Sequence, residues 1–291
     1  MRGGPKGLDD ALLARKVFKT NDGIELSVID VGAGRPFVIV PAWTSSALEY
    51  YATILDLARD YRVVAVDMRS HGASEKTPHG HRISRYAADL KDALECLELR
   101  DTTLMGHSMG CSVIWCYLDL FRSDRVSSIV LVDQAATQLI QPQWSAAERL
   151  AFGCTHTAEE LFEHCRKLAG SEGEAYTQSL FTSIFTRGFP REELDWVLSQ
   201  TLAMPREHAS VLMLDHAQRD WRDVIARIDV PALVVGARKS IFSVESQEWI
   251  ARQFRRAQLA IFEEHEGGSH FMCFENPRQF NRIVRSFLSA L

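Results

Sequence analysis

The chain has 291 residues, of which 46% are hydrophobic and 24% are charged, and its formal net charge is -5. This length and apolar content can supply the core of one main domain and leave room for an insertion. The negative charge and the lack of a basic stripe argue against nucleic acid as a partner.

The beginning of the chain, "MRGGPKGLDDALLARK", lacks the apolar run of a signal peptide, and no later stretch approaches the roughly eighteen apolar residues of a membrane span. We therefore expect a cytoplasmic protein without a membrane partner, whose first dozen residues form a mobile tail. Six cysteines occur without a CxxC or Cys/His ligand spacing, which favours free thiols over disulfides or zinc. They are Cys96, Cys111, Cys116, Cys154, Cys165 and Cys273.

Short apolar, β-branched runs alternate with helical patterns along most of the chain. The predicted strands are 24–32, 36–42, 61–67, 102–107, 126–133, 231–237 and 258–264. The predicted helices are 46–58, 84–98, 109–122, 245–256 and 277–290. Such alternation predicts an α/β fold with a mostly parallel sheet that has helices on both faces.

The alternation stops between about 137 and 216. This stretch has no convincing strand and is predicted to form four or five short helices, broken at Gly153, Gly170 and the pair Gly188/Pro190. Because strands flank it on both sides, we predict a helical lid inserted at the top of the sheet. The predicted organisation is a core from 1–136, a lid or cap from 137–216 and the rest of the core from 217–291.

A serine flanked by glycines lies between the strand at 102–107 and the helix at 109–122. The letters "GHSMG" (106–110) fit G-x-S-x-G, in which a sharp, strained turn presents the serine hydroxyl above the sheet edge. The glycines let the strand and the helix approach closely, and the helix N-terminus favours developing negative charge. We predict that Ser108 is a catalytic nucleophile.

Serine is a weak nucleophile at its own pKa and needs an adjacent base. His270 follows the last predicted strand in the Gly-rich segment "EEHEGGSHF", and we predict that it is the general base. The other histidines are expected to be packing or surface residues, although His107, beside the serine, is also predicted to bind substrate. They are His79, His81, His107, His156, His164, His208, His216 and His265.

These motifs together resemble the α/β-hydrolase family, from "DGIELSVIDVGAG" to the final helix. The matching segments are "DMRSHGAS" (67–74), "GHSMG" (106–110) and "GGSHF" with "ENP" (267–277). The resemblance implies an eight-stranded sheet, an inserted helical cap and an oxyanion hole made of two backbone amides. The matching amides are those of Met109 and of Trp43 in "PAW"; the Trp43 ring is also predicted to bind substrate.

The acid that should orient the histidine is missing from its usual place. In the family it lies three residues after the glycine that closes the strand at 231–237, and that position is Lys239 in "GARKS". A lysine cannot accept a hydrogen bond from an imidazole. We predict that Asp133, which ends the strand at 126–133, is the acid; the alternatives are Glu245 or a site that has lost hydrolytic competence.

The resulting functional prediction is hydrolysis of a carboxylic ester or lactone of a moderately large, apolar small molecule, through an acyl-enzyme on Ser108 and without a metal or organic cofactor. One alternative is a cofactor-free dioxygenase on the same fold, which the chain resembles in "PAW" and in the acid after "VLVD". Those enzymes have a histidine shortly after the tryptophan, and Ser45 stands at that position here. Another is a non-catalytic small-molecule receptor. Met109 after the serine is also similar to the "SMG" of perhydrolases named non-haem haloperoxidases. The oligomeric state is left open.

Overall fold

An eight-stranded sheet organises the chain in the computed structural model, which describes Pro5, Gly7, Leu8 and residues 10–291. The remaining residues of the predicted N-terminal tail lie outside this description. The strands are β1 (Arg15–Lys19), β2 (Glu25–Val31), β3 (Pro36–Val40), β4 (Arg62–Val66), β5 (Thr102–His107), β6 (Val126–Val132), β7 (Ala232–Ala237) and β8 (Ala257–Phe262). Their order is β1-β2-β4-β3-β5-β6-β7-β8. The pairs β1–β2 and β2–β4 are antiparallel, and every other neighbouring pair is parallel.

Helices cover the sheet and form the segment between β6 and β7. They are α1 (Tyr51–Leu57), α2 (Ile83–Cys96), α3 (Met109–Phe121), α4 (Ala146–Phe152), α5 (Ala158–Ala169), α6 (Gly173–Ile184), α7 (Arg191–Thr201), α8 (Arg206–Ala217), α9 (Arg222–Ile225), α10 (Val244–Gln253), α11 (Met272–Glu275) and α12 (Pro277–Ser289). None of these twelve helices in the described part of the chain combines the length and the apolarity that spanning a bilayer requires. All six cysteines are free thiols.

The central strands are buried on both faces, which explains their nearly continuous apolar sequences. Side chains alternate between two cores: Val38 and Val40 of β3 pack in one, and Phe37 and Ile39 pack in the other. Both faces of the sheet therefore contribute to stability, as the alternation of strands and helices predicts.

Strand β1 is absent from the sequence-based prediction. Four of the five residues in "RKVFK" are exposed and only Phe18 is buried, so the segment has neither an apolar run nor a clear alternation. It pairs antiparallel with β2 at the edge of the sheet, where the partner strand, not its own sequence, defines the structure.

The segment between β6 and β7 contains six helices, and the first five of them, α4 to α8, fall in the stretch that the sequence predicts to be helical. Three of the predicted breaks fall between them: Gly153 ends α4 in the left-handed region at φ 79°, Gly170 follows α5, and Pro190 precedes α7. Helices α4 and α5 each begin with a capping box, formed by Ser145 and by Thr157. We refer to α4 to α8 as the cap helices; the domain boundaries at 137 and 216 remain predictions.

The sheet register brings three strand ends to the same place. Val40 at the end of β3 pairs with Gly106 of β5, and His107 at the end of β5 pairs with Val132 of β6. The loops that follow β3, β5 and β6 therefore start side by side at the carboxyl edge, where open α/β sheets place their ligand sites.

Candidate active site

The turn after β5 is the strained strand-to-helix turn that the sequence predicts. Ser108 has φ 52° and ψ -120°, a conformation that is costly for a residue with a side chain. Glycines make the turn possible: a Cβ on Gly106 would lie 2.6 Å from the amide nitrogen of Cys111, and a Cβ on Gly110 would lie 2.1 Å from the carbonyl oxygen of Val40. Both glycines are therefore required by close backbone contacts.

Two backbone amides beside this turn have no acceptor in the described part of the chain. Met109 is the first residue of α3, so its N–H has no partner within the helix, and the N–H of Trp43 in the loop after β3 makes no hydrogen bond either. Because β3 and β5 are neighbours, the two unpaired donors belong to adjacent strand ends. They are the two amides that the sequence predicts for an oxyanion hole.

Asp133 and His270 are in direct contact. His270 Nδ1 donates to Asp133 Oδ2 across 2.6 Å, and both side chains are buried. Asp133 follows β6 with φ 50°, so the two strand ends at Ser108 and Asp133 both adopt positive φ. Burial raises the pKa of the Asp133 carboxyl, and the hydrogen bond from His270 opposes this shift by favouring the carboxylate. With its Nδ1 proton held by Asp133, the imidazole keeps a free lone pair on Nε2.

Ser108 and His270 line one cavity, although no hydrogen bond among the described residues joins them. Contacts between a nucleophile and its base are often loose in unliganded enzymes and tighten when substrate binds. Glu245, the alternative acid, is exposed in the first turn of α10, and its side chain makes no hydrogen bond or ion pair with the described residues. The structure thus brings Asp133, not Glu245, to the predicted base.

The segment "GARKS" contributes Ser240 to the site, and not Lys239, which stands at the position where the family resemblance expects the acid. Lys239 is 54% exposed in its side chain and lies 3.8 Å from Glu264, away from the imidazole. Ser240 donates its hydroxyl to Asp133 Oδ2, and the same oxygen of Ser240 lies 3.5 Å from His270 Nδ1. The segment after β7, where the family resemblance expects the acid, therefore supplies a hydrogen-bond donor to Asp133 at the end of the neighbouring strand.

His107, predicted to bind substrate, is fully buried and is not among the residues that line the cavity. Its Nδ1 lies 2.8 Å from the Tyr50 hydroxyl, which also accepts the N–H of Ala42, and its Nε2 lies 2.8 Å from the carbonyl oxygen of His270. Tyr50 must then donate to Nδ1, and Nε2–H must donate to His270. The side chain therefore connects Tyr50 to the backbone of His270 and is not part of the cavity wall.

A second buried imidazole supports the loop that carries Trp43. His71, within "DMRSHGAS", accepts the N–H of Thr44 at Nε2 across 3.0 Å, and its Nδ1 lies 3.0 Å from the carbonyl oxygen of Arg69. Burial lowers the pKa of His71 to about 3, so the ring is neutral and can accept this hydrogen bond. Thr44 has φ 62°, a strained conformation that the contact with His71 helps to hold.

Trp43 connects the core to the cap helices. Its indole Nε1–H donates to the carbonyl oxygen of Ala209 in α8 across 2.9 Å, and its ring stacks on Phe181 of α6 with centroids 6.3 Å apart. Trp43 is among the residues that line the cavity, and its role in substrate binding stays a prediction. The same side chain thus packs against the cap and bounds the space above Ser108.

The cavity above Ser108 is narrow, with a volume of about 80 Å³. Four apolar residues of the cap helices line it, namely Leu180, Phe181, Ile184 and Met213. The wall consists of Ala42, Trp43, Ser108, Gln138, Leu180, Phe181, Ile184, Met213, His216, Ile241, Phe242, His270 and Phe271. No lysine, arginine, aspartate or glutamate belongs to this wall in the described part of the chain.

A buried carboxyl under the loop after β3 provides a pH prediction. Glu49 is completely desolvated, which raises its pKa from 4.5 to about 8. Its folded-state pKa is raised, so its contribution to stability is complete below pH 4.5 and is lost as pH rises through about 8. Buried histidines with lowered pKa change stability below their unfolded pKa of about 6.5, and burial also raises the pKa of Asp133 and Asp89, so the contribution of Glu49 is the difference between wild type and Glu49→Gln from pH 6.5 to 8.

We expect the free energy of unfolding to fall by about 2 kcal/mol between pH 6.5 and 8 because of Glu49, and we expect this fall to be absent in Glu49→Gln. Urea unfolding at several pH values measures both slopes. Glu192→Gln, at an exposed position in α7, is the matched control and should keep the wild-type slope. Equal slopes in wild type and Glu49→Gln would contradict the prediction.

Comparison with known proteins identifies the family. The model of the alpha/beta hydrolase fold matches residues 35–277, so the chain belongs to the α/β-hydrolase family. A non-heme haloperoxidase of Rhodococcus erythropolis is 28% identical over 282 residues, which cover 93% of this chain and 98% of that protein. Residues 35–277, which the family model matches, include every residue of the site described above.

Solved structures of similar fold include a protein named an esterase and a protein named an enol-lactonase. The esterase EaEST from Exiguobacterium antarcticum aligns with a TM-score of 0.85 at 20% identity, covering 94% of this chain and 99% of that one. The enol-lactonase from Burkholderia xenovorans LB400 aligns with a TM-score of 0.80 at 20% identity, covering 94% of this chain and 100% of that one. At this identity the likeness demonstrates the fold alone.

Several residues that support the site were not found from the sequence. Tyr50, His71 and Ser240 act through contacts with residues far away in the chain, which no local pattern reveals. His71 lies within a segment that the family resemblance marked, so that segment was the available signal. Gln138 and His216 line the cavity, but neither has a motif around it.

Proposed function

We propose that the protein hydrolyses a carboxylic ester or lactone through an acyl-enzyme on Ser108, with His270 as general base and Asp133 as the acid that orients it. One observation carries the proposal. Ser108 and His270 share the wall of one cavity, and Asp133 Oδ2 accepts the Nδ1 proton of His270 across 2.6 Å. This arrangement of nucleophile, base and orienting acid is what an activated serine requires.

In the proposed reaction, Ser108 Oγ attacks the substrate carbonyl while His270 Nε2 takes its proton. The oxyanion accepts hydrogen bonds from the unpaired amides of Trp43 and Met109. His270 then gives the proton to the leaving alcohol, and a water activated by the same nitrogen cleaves the acyl-enzyme. Asp133 holds the imidazole in the required tautomer and stabilises its protonated form.

The cavity favours an uncharged, slender acyl group. Its wall is mostly aliphatic and aromatic, and no cationic side chain of the described chain lines it to pair with a substrate carboxylate. The volume of about 80 Å³ suits a narrow chain better than a bulky ring system, which would require the cap side chains to move. The names esterase and enol-lactonase of two proteins with the same fold support the two substrate classes.

A peroxide-dependent reaction is the second candidate, favoured by the relative named a haloperoxidase. Hydrogen peroxide would replace water in the second step, so that the acyl-enzyme and peroxide give a peracid and free Ser108. The two reactions share the first step and differ only in the acceptor. The ratio of peracid to carboxylic acid formed from one ester in the presence of peroxide separates them.

The test of the proposal is labelling with a fluorophosphonate together with cleavage of p-nitrophenyl esters. We expect rapid, stoichiometric labelling at Ser108, identified by peptide mass spectrometry, and ester cleavage that stops when the label is incorporated. Ser108→Ala should show neither, and Ser199→Ala, on the exposed side of α7, should behave as wild type. A folded wild type that reacts with neither reagent would refute the proposal; oxygen uptake or ligand binding without turnover would then identify the dioxygenase or the receptor.

A further inference from the structure

The apolar cavity wall contains two polar side chains besides the residues of the proposed mechanism. Gln138 comes from the loop after β6, and His216 comes from the last turn of α8. Both are buried, with 7% and 4% of their surface exposed. Polar groups in an apolar wall usually fix the orientation of a ligand.

The hydrogen bonds around His216 determine where its proton is. Gln134 accepts the N–H of Ala135 with Oε1, so its other terminal atom is the NH₂ group. This NH₂ group lies 3.0 Å from His216 Nε2, which must therefore be the acceptor. The proton of the neutral ring is then on Nδ1, and Nδ1 is buried without a hydrogen-bond partner in the described chain.

The amide of Gln138 is only partly engaged. Its Nε2 lies 2.8 Å from the same His216 Nε2 that Gln134 occupies, and this is the sole hydrogen bond of the Gln138 side chain in the described chain. One imidazole lone pair cannot accept two full hydrogen bonds. The pair of Gln138 and His216 therefore holds donor capacity that the protein itself does not use, and an unused buried donor is costly unless a ligand satisfies it.

The neutral surroundings of Gln138 and His216 disfavour a charged ligand. Burial lowers the pKa of His216 to about 4, so the ring is neutral near pH 7. Since the described wall also lacks lysine and arginine, a carboxylate would lose its hydration without gaining a cation. An uncharged oxygen acceptor, such as a ketone or amide carbonyl, fits the available donors.

The position relative to the nucleophile follows from α3. Gln134 also donates to Ser112 Oγ across 3.2 Å, and Ser112 lies one helical turn after Ser108, which is about 6 Å along the axis. Through Gln134, the pair of Gln138 and His216 is anchored beside Ser112, one turn of α3 away from the nucleophile. Since the cavity is the proposed site of the acyl group, a group bound there belongs to the acyl chain, beyond the reacting carbon.

We propose that Gln138 and His216 form a polar subsite that binds an uncharged carbonyl oxygen on the acyl chain of the substrate. This inference rests on the proposed ester hydrolysis, and it narrows the substrate class to acyl groups that carry a second, neutral carbonyl. The apolar wall around Phe181 and Phe242 would contact the rest of the substrate's acyl chain.

The experiment compares p-nitrophenyl esters of one straight chain with analogues in which each methylene in turn is replaced by a ketone. We expect wild type to prefer one keto ester over the parent ester by about tenfold in kcat/KM, the effect of one hydrogen bond. In His216→Leu and in Gln138→Leu, the ratio between that keto ester and the parent should fall to about one. The melting temperature of each variant shows whether it is folded. If either His216→Leu or Gln138→Leu fails to fold, the other variant still tests the subsite.

His164→Leu is the matched control. His164 is a buried imidazole of the cap helices that hydrogen-bonds Tyr176 and is absent from the cavity wall, so this variant should keep the tenfold preference. Equal rates of wild type on all the esters, or loss of the preference in His164→Leu, would overturn the subsite. If wild type cleaves none of the esters, the proposed hydrolysis fails instead. The subsite is then tested with the corresponding non-ester ketones, which should raise the melting temperature of wild type but not of His216→Leu; no shift in wild type overturns it.

Discussion

Replacing Asp133 with asparagine is expected to slow both fluorophosphonate labelling of Ser108 and ester cleavage by about ten-thousandfold. The amide of asparagine can present an NH₂ group to His270 Nδ1, which favours the tautomer that carries its proton on Nε2 and cannot accept the serine proton. Loss of the orienting acid in a serine triad has an effect of about this size, equivalent to about 5.5 kcal/mol of activation free energy. The rate of label incorporation at saturating reagent measures it directly.

The control for this variant is Glu245→Gln, which removes the alternative carboxylate. Glu245 is exposed at the start of α10, so we expect the wild-type labelling rate and only a small loss of helix stability. Circular dichroism and the melting temperature must show that Asp133→Asn is folded, because Asp133 is fully buried. A wild-type rate in folded Asp133→Asn, or a large loss in Glu245→Gln, would assign the acid elsewhere.

The fold was largely predictable because strong local patterns agree with the global arrangement. Buried parallel strands need apolar runs, and helices packed on them need apolar positions three and four residues apart, so β3 to β7 and the helices between them are visible in the sequence. Strand β1 is the exception, because only Phe18 of its five residues is buried. Its structure depends on pairing with β2, which is information that the segment itself does not contain.

The site was predictable only where function imposes a local pattern. Ser108 needs two glycines for steric reasons, and His270 lies in a Gly-rich turn before the last helix, so both have recognisable surroundings. Asp133 has no such pattern and was reached by excluding Lys239. Its partner Ser240 was not predicted, since a contact between residues 107 positions apart depends on the neighbouring register of β6 and β7.

The register of β6 and β7 brings the residues that follow both strands to His270. Val132 pairs with Val235, so the residues after both strands lead to the same side of His270. Asp133 approaches His270 Nδ1 from β6 to within 2.6 Å, and Ser240 approaches it from the β7 side to within 3.5 Å. Two positions that follow different strands thus converge on one nitrogen, and we expect a carboxylate at either position to accept its proton.

This convergence predicts that the acid can be moved back. In the double variant Asp133→Asn, Ser240→Asp, we expect the labelling rate to recover at least a hundredfold over Asp133→Asn alone, because an aspartate at 240 extends further than serine towards an imidazole that is already 3.5 Å away. Ser240→Asp in otherwise wild-type protein should instead lower stability, since two carboxylates would share a buried site where both cannot stay charged. The readouts are the labelling rate and the melting temperature.

The double variant Asp133→Asn, Lys239→Asp is the matched control for the recovery. Lys239 occupies the position that the family resemblance assigns to the acid, yet its side chain is exposed and directed to Glu264. An aspartate there should leave the labelling rate as low as in Asp133→Asn. Recovery at 239 and not at 240 would mean that the loop after β7 rearranges when a carboxylate is present. Recovery at 240 alone would mean that the direction of the side chain decides which residue can serve as the acid. The number of residues after the glycine of β7 would then not be decisive.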